Sequence, residues 1–220
     1  MERLQNTLTH FNMPIITEEQ RKEAEEYERQ QARQEHLKRV ELARIPERYR
    51  NADVGQCVSA VREYAESFSK ETSRGIVLVG STGVGKTYSG CAILNRFVDT
   101  YLVGFVTADE LLREIRSTFN SYSNMTEHDV VMKYVNKLLL MLDDLGKEKP
   151  SEFALGVLFS IINARYNKGK PTIVTTQYHA EDLIVHLAEF GYRETAEAIV
   201  SRLQESVIVQ LEGEDRRIRY

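Results

Sequence analysis

Tryptophan is absent from this chain, and cysteine nearly so: Cys57 and Cys91 stand far apart and form no C-x-x-C pair. That argues against a zinc module and against a disulfide framework, and it fits a reducing compartment. No run approaches the roughly eighteen apolar residues that a membrane helix needs, and the opening "MERLQNTLTHFNMPII" has no apolar core of a secretory signal. The expectation is a soluble cytoplasmic protein with no membrane partner. An excess of positive charge is also lacking. The net charge is −4, with an isoelectric point near 5.8, so any grip on nucleic acid is a local patch and not a property of the whole surface. No internal repeat is present, and the only biased segment lies near the amino terminus.

What is present begins with that segment. "TEEQRKEAEEYERQQARQEHLKR" (17–39) is built almost wholly of strong helix formers, with opposite charges at helical spacing such as Glu18 with Lys22 and Glu25 with Arg29. Thr17 followed by Gln20 fits a capping box. The spacing predicts a long helix with almost no apolar face, either a solvated spacer or a docking arm for a partner protein. Ile45-Pro46 ends it. The expected division is a helical arm over 1–44 and a globular domain over 45–220, which 42% hydrophobic residues suffice to fill.

From Gly75 onward strands and helices alternate. "GIVLVG", "YLVGFVT", "LLLMLDDLG", "KPTIVTTQ" and "SVIVQL" read as strands. "KTYSGCAILNRFV", "ADELLREIRSTF", opened by Thr107 or Asp109, "FALGVLFSIINARY" and "TAEAIVSRL" read as helices. Near-continuous apolar strands predict a parallel five-stranded sheet with helices on both faces.

The chemistry concentrates at "GSTGVGKT", residues Gly80, Ser81, Thr82, Gly83, Val84, Gly85, Lys86 and Thr87. The stretch lies where a phosphate-binding loop must lie, after a strand and opening a helix. Glycines let backbone N–H groups surround phosphates, Lys86 neutralises β/γ charge, and the Thr87 hydroxyl is placed to ligate Mg²⁺. A second apolar strand delivers Asp143 at its carboxyl end, where an acidic residue holds the metal of a nucleotide site. Asp144 stands ready to orient an attacking water, with Glu148 beyond the turn as the other candidate. Thr176-Gln177 ends a further strand, where Gln177 has an amide able to sense a γ-phosphate. Arg202 closes a helix just before the last strand, and "GEDRRIRY" adds Arg216, Arg217 and Arg219. An arginine held at a subunit edge can stabilise charge in a neighbour's site. Paired acids suit hydrolysis better than simple phosphoryl transfer to a metabolite, and no arginine-rich lid insertion supports a small kinase.

Taken in order, "IPERYRNA", "GSTGVGKT", "LLLMLDDLGKE", "INARYNKGKPTIVTTQ", "SRL" and the terminal Gly213-x-Asp215-x-Arg217 resemble the ATPase domain of DnaC/DnaI-type replicative-helicase loaders. These are relatives of IstB-type transposition helpers within the AAA+ class. The resemblance runs from about Ile45 to Tyr220. It implies an AAA+ P-loop core using ATP and Mg²⁺, with Asp143 as the metal-side acid and Asp144 in the catalytic acid's place. It also implies Gln177 or Thr176 as sensor 1, Arg202 as an arginine finger acting in trans between self-associated subunits, and Arg217 as a sensor 2 equivalent. The implied activity is ATP hydrolysis that delivers a hexameric replicative DNA helicase onto single-stranded DNA during replication initiation. A transposition helper that binds DNA, and a helicase adaptor switched by ATP without hydrolysis, are the other readings. Asp144 stands where most AAA+ proteins have Glu, Gln177 where Asn is commoner, and no length remains after Leu211 for a helical lid. The arm lacks the cysteines of the zinc-binding domain found in some loaders.

Overall fold

Helix α1 (Glu18–Leu42) begins with the expected reciprocal cap: the Gln20 N–H donates to Thr17 Oγ1 at 3.2 Å and the Thr17 N–H to Gln20 Oε1 at 3.0 Å. The computed structural model describes residues 17–71, 74–120 and 124–216. The chain divides into two units, Met1–Leu37 and Lys38–Tyr220. In the first, the helix is exposed along nearly all its described length, as its composition requires. The larger unit begins before the expected linker: Val40, Ala43 and Ile45 are buried in one of its two core clusters, and the Phe105 N–H donates to Ala43 O at 2.8 Å. Residues 38–44 thus supply core contacts that the charged pattern around them conceals.

All five expected strands form: β1 (Ile76–Val79), β2 (Val103–Thr107), β3 (Leu139–Leu145), β4 (Thr172–Thr176) and β5 (Val207–Gln210). They make one parallel sheet in the order β2-β3-β4-β1-β5. Successive residues face opposite sides of a strand, and both sides are covered. Ile76, Leu78, Leu139 and Met141 pack with α2 (Ser59–Ser67) and α3 (Lys86–Phe97). Val77, Val79, Leu140 and Leu142 pack with α4 (Ala108–Ser117), α5 (Glu127–Val135), α6 (Glu152–Asn167), α7 (Ala180–Leu187) and α8 (Arg193–Gln204). Burial on both faces is why these strands read as unbroken apolar runs. At α4 it is Thr107 that caps, in a box with Glu110. Helices α2, α5 and α7 have no counterpart in the sequence reading; each spans nine residues or fewer, too short for a clear helical period.

Strand order positions the site. β1, which leads into the phosphate loop, and β3, which carries the acids, are not neighbours; β4 lies between them. Leu142 pairs with Val174 and Leu145 with Thr176, so β3 has one residue more than β4 across that interval. Across this bulge Asp143 and Asp144 oppose a single residue of β4, while Asp143 stays in register with Thr107 of β2. Below the two acids, Arg165 is fully buried and has no carboxylate partner among the described residues. Its guanidinium donates to Tyr134 O at 3.0 Å, Lys137 O at 2.8 Å, Pro171 O at 2.6 Å and Thr172 Oγ1 at 2.9 Å, fixing the entries to β3 and β4. Burial brings its pKa down to about 9.

Candidate nucleotide site

The loop after β1 turns on glycines at positive φ, Gly83 at 84° and Gly85 at 105°, a region closed to most side chains. A Cβ on Gly83 would also lie 1.9 Å from Asp215 Oδ1, because the segment after β5 crosses the loop there, with the Arg216 N–H donating to Gly83 O at 3.1 Å. Lys86 is 7% exposed, and its ammonium donates to Gly80 O and Ser81 O, each at 2.8 Å. The loop thereby holds its own lysine in place. At the start of α3 the Thr87 hydroxyl lies 3.1 and 3.2 Å from the two oxygens of Asp143.

The acids are set by the strand between. Thr175 of β4 donates to Asp143 Oδ1 at 2.6 Å and accepts the Asp144 N–H at 2.8 Å, so one hydroxyl fixes both. Asp143 is 3% exposed. Burial pushes its carboxyl up to about 6, opposed by the Thr175 hydrogen bond and reinforced by the charge of Asp144. Asp144 sits at φ 59°, a left-handed conformation uncommon outside glycine, and its carboxylate meets Lys147 Nζ at 2.8 Å. A cavity of about 350 Å³ opens here, lined by Thr82, Gly83, Gly85, Lys86, Thr87, Asp144 and Lys147. Arg48, Tyr49, Gln56, Tyr88 and Arg216 complete the lining.

A family model described as IstB-like ATP binding protein matches residues 11–220. This chain belongs to the IstB-like ATP-binding family. Among its relatives, the replicative helicase loader DnaI of Bacillus subtilis (strain 168) is 27% identical over 165 residues, 71% of this chain and 52% of that protein. The replicative helicase loader DnaC of Buchnera aphidicola subsp. Baizongia pistaciae (strain Bp) is 29% identical over 133 residues, 60% of this chain and 54% of that protein. The chain thus spans about half the length of these relatives. A crystal structure of the DnaC helicase loader superimposes with a TM-score of 0.60 at 26% identity, covering 76% of this chain and all of that one. The AAA+ fold follows from these likenesses and from the strand order.

For an ATP-binding family member the donors fit the expected cofactors. A buried carboxylate beside a threonine hydroxyl is a hard-oxygen set suited to Mg²⁺, which is usually held by one or two carboxylates together with substrate phosphates. Among the described residues no cluster of three or more His, Cys, Asp or Glu offers a self-sufficient metal cage.

The other candidates separate. Glu148 does not line the cavity. It is 3% exposed and accepts the Gly146 N–H at 2.8 Å, so it braces the turn after β3. Burial raises its pKa. Thr176 donates its hydroxyl to Leu145 O at 2.8 Å, holding the bulge, while Gln177 is exposed just past β4. Arg202 lies at the opposite end of the sheet, near Gly75 and Thr172 where β1 and β4 start. Its Nε donates to Asn163 Oδ1 at 3.0 Å and its guanidinium covers Phe159 and Tyr166. It does not reach its own subunit's cavity. Arg217 falls outside the described residues; its neighbour Arg216 lines the cavity. Arg48, Tyr49, Gln56 and Tyr88 went unrecognised as lining residues, although "IPERYRNA" contains the first two and Tyr88 directly follows the loop. Tyr88 Oη donates to Gln56 Oε1 at 2.7 Å and accepts the Asp53 N–H at 3.1 Å, tying this wall to α3.

Burial of Asp143 has a thermodynamic consequence. Its folded pKa lies above the ordinary value of 3.8, so folding is opposed wherever the unfolded carboxyl is ionised. The penalty grows as pH rises from about 4 and is full above about 6, where two pKa units correspond to roughly 3 kcal/mol. Asp143→Asn, unfolded by denaturant in EDTA, is expected to be more stable than the parent at pH 8, by up to that amount. The gain should vanish near pH 4. An equal difference at both pH values would contradict the assignment.

Proposed function

We propose that this chain is an ATPase that loads a replicative DNA helicase onto single-stranded DNA, with hydrolysis coupled to release. The observation that carries the reading is the pairing of Thr87 with buried Asp143 across from Lys86, in a chain whose relatives are named helicase loaders. In this reading Lys86 and the loop N–H groups bind the phosphates, Thr87 and Asp143 hold Mg²⁺, and Asp144 orients the water. Mg²⁺ supplies charge neutralisation between the phosphate oxygens. Arg202 reaches the nucleotide of a second copy, and Gln177 contacts the γ-phosphate once that copy closes the site. For DNA, exposed Phe119 stacks edge-on to Phe153 at 5.8 Å while Arg116 lies 5.1 Å over the Phe153 ring. Aromatic rings beside arginine are suited to stacking single-stranded bases.

In the same reading the arm docks the helicase. Val40 belongs to the core and does not anchor a partner, which leaves Tyr27, Leu37 and Leu42 as exposed apolar positions of α1. The apolar residues from Leu4 to Ile16 lie outside the described residues. Removing residues 1–37, and not 1–44, spares the core. The truncated chain is expected to bind ATP as the parent does and to lose co-elution with the helicase. Unchanged co-elution would move the interface to the ATPase unit. The family's IstB-like description favours a second reading, a DNA-binding helper of a transposase; capture of a transposase in place of a helicase would select it.

A further inference from the structure

The turn that follows β3 holds a cation with a choice of partners. Asp144 and Lys147 face the same cavity as Lys86 and Thr87, and the Lys147 ammonium is 2.8 Å from Asp144 Oδ2. The backbone between them is held from three directions. Thr175 Oγ1 accepts the Asp144 N–H, Asp144 O accepts the Lys147 N–H at 3.1 Å, and buried Glu148 accepts the Gly146 N–H. Tyr178 closes over Gly146, leaving no space there for a side chain. What remains free to move is the Lys147 side chain, 42% exposed on a flexible four-carbon stem.

The geometry points to Lys147 as a further catalytic residue: it pairs with Asp144 and transfers to the terminal phosphate when a nucleoside triphosphate binds. This inference rests on the reading of the cavity as an ATP site. Asp144, read as orienting the attacking water, lines this cavity together with Lys147, Lys86 and Thr87. A terminal phosphate attacked by that water lies beside Asp144, and so beside Lys147. A diphosphate is one phosphate shorter and lacks the group that Lys147 would meet. Departure of the ammonium frees the Asp144 carboxylate to accept a hydrogen bond from water, so arrival of the γ-phosphate and release of the candidate base become one event. Asp144 paired with lysine is a poorer acceptor for that water.

The test uses the full chain with Lys147→Ala and Lys147→Arg, thermal melting to confirm folding, and displacement of a fluorescent nucleotide by unlabelled ATP and ADP. The alanine variant is expected to bind ATP about tenfold more weakly while its ADP affinity stays within about twofold, the scale of one charge-assisted contact. The arginine variant should recover most of the preference for triphosphate. Equal weakening toward ATP and ADP, or no change in either, would overturn the proposal while leaving the ATP site standing. A parent protein that binds neither nucleotide would overturn both.

Discussion

Lys86→Ala is expected to abolish measurable ATP binding while the protein stays folded. The ammonium is almost wholly buried and held by two carbonyl oxygens of its own loop, so it is aimed before any ligand arrives. A charge-assisted contact of this kind contributes about 1.5–3 kcal/mol, and loss of the loop's internal brace adds to it. The combined fall is on the order of a hundredfold or more in affinity. Asp143→Asn should behave differently, retaining nucleotide and losing turnover, because the aspartate acts through the metal and not on the phosphates directly. Nucleotide affinity and steady-state hydrolysis, measured separately, distinguish the two. Full ATP affinity in Lys86→Ala would remove the phosphate-loop assignment.

Arg202→Ala is expected to bind ATP with parental affinity and to hydrolyse it about a thousandfold more slowly or worse, the lower end of the range for loss of an arginine finger. The side chain is seated away from its own cavity, against Phe159, Tyr166 and Asn163, so it can act on nucleotide only in another copy. Mixing Arg202→Ala with Lys86→Ala should therefore restore part of the turnover. The first protein supplies filled sites, and the second supplies the arginine. Absence of rescue at every mixing ratio would contradict action in trans.

What the sequence made legible follows from how local each signal is. The phosphate loop is eight contiguous residues, and its chemistry is written in their order. β1, β3 and β4 are buried on both faces, so their apolar runs stand out. The order β2-β3-β4-β1-β5 is a property of non-local pairing, and no stretch of the chain encodes it by itself. The same holds for Arg165, whose "INARY" setting gives no hint that its guanidinium binds backbone oxygens from residues 134 to 138. By spacing Asp144 was the first candidate and Glu148, beyond the turn, the weaker one. The tight turn separates them, directing the first into the cavity and the second under Gly146. Lys147 passed unnoticed because a lysine in a charged turn is ordinarily a solvated one. The lining of the cavity also gathers Arg48, Gln56 and Arg216 from opposite ends of the unit's sequence, beyond the reach of any motif. Val40 and Ala43 were hidden by the charged residues around them.

The most direct test of the account is a helicase-loading assay on closed circular single-stranded DNA, run with the parent chain, with Lys86→Ala and without ATP. The account predicts that the parent chain with ATP raises the amount of the source cell's replicative helicase recovered on the circle, and that both controls leave it at the level of helicase alone. Equal recovery in all three reactions, or recovery that the parent chain does not change, would contradict it.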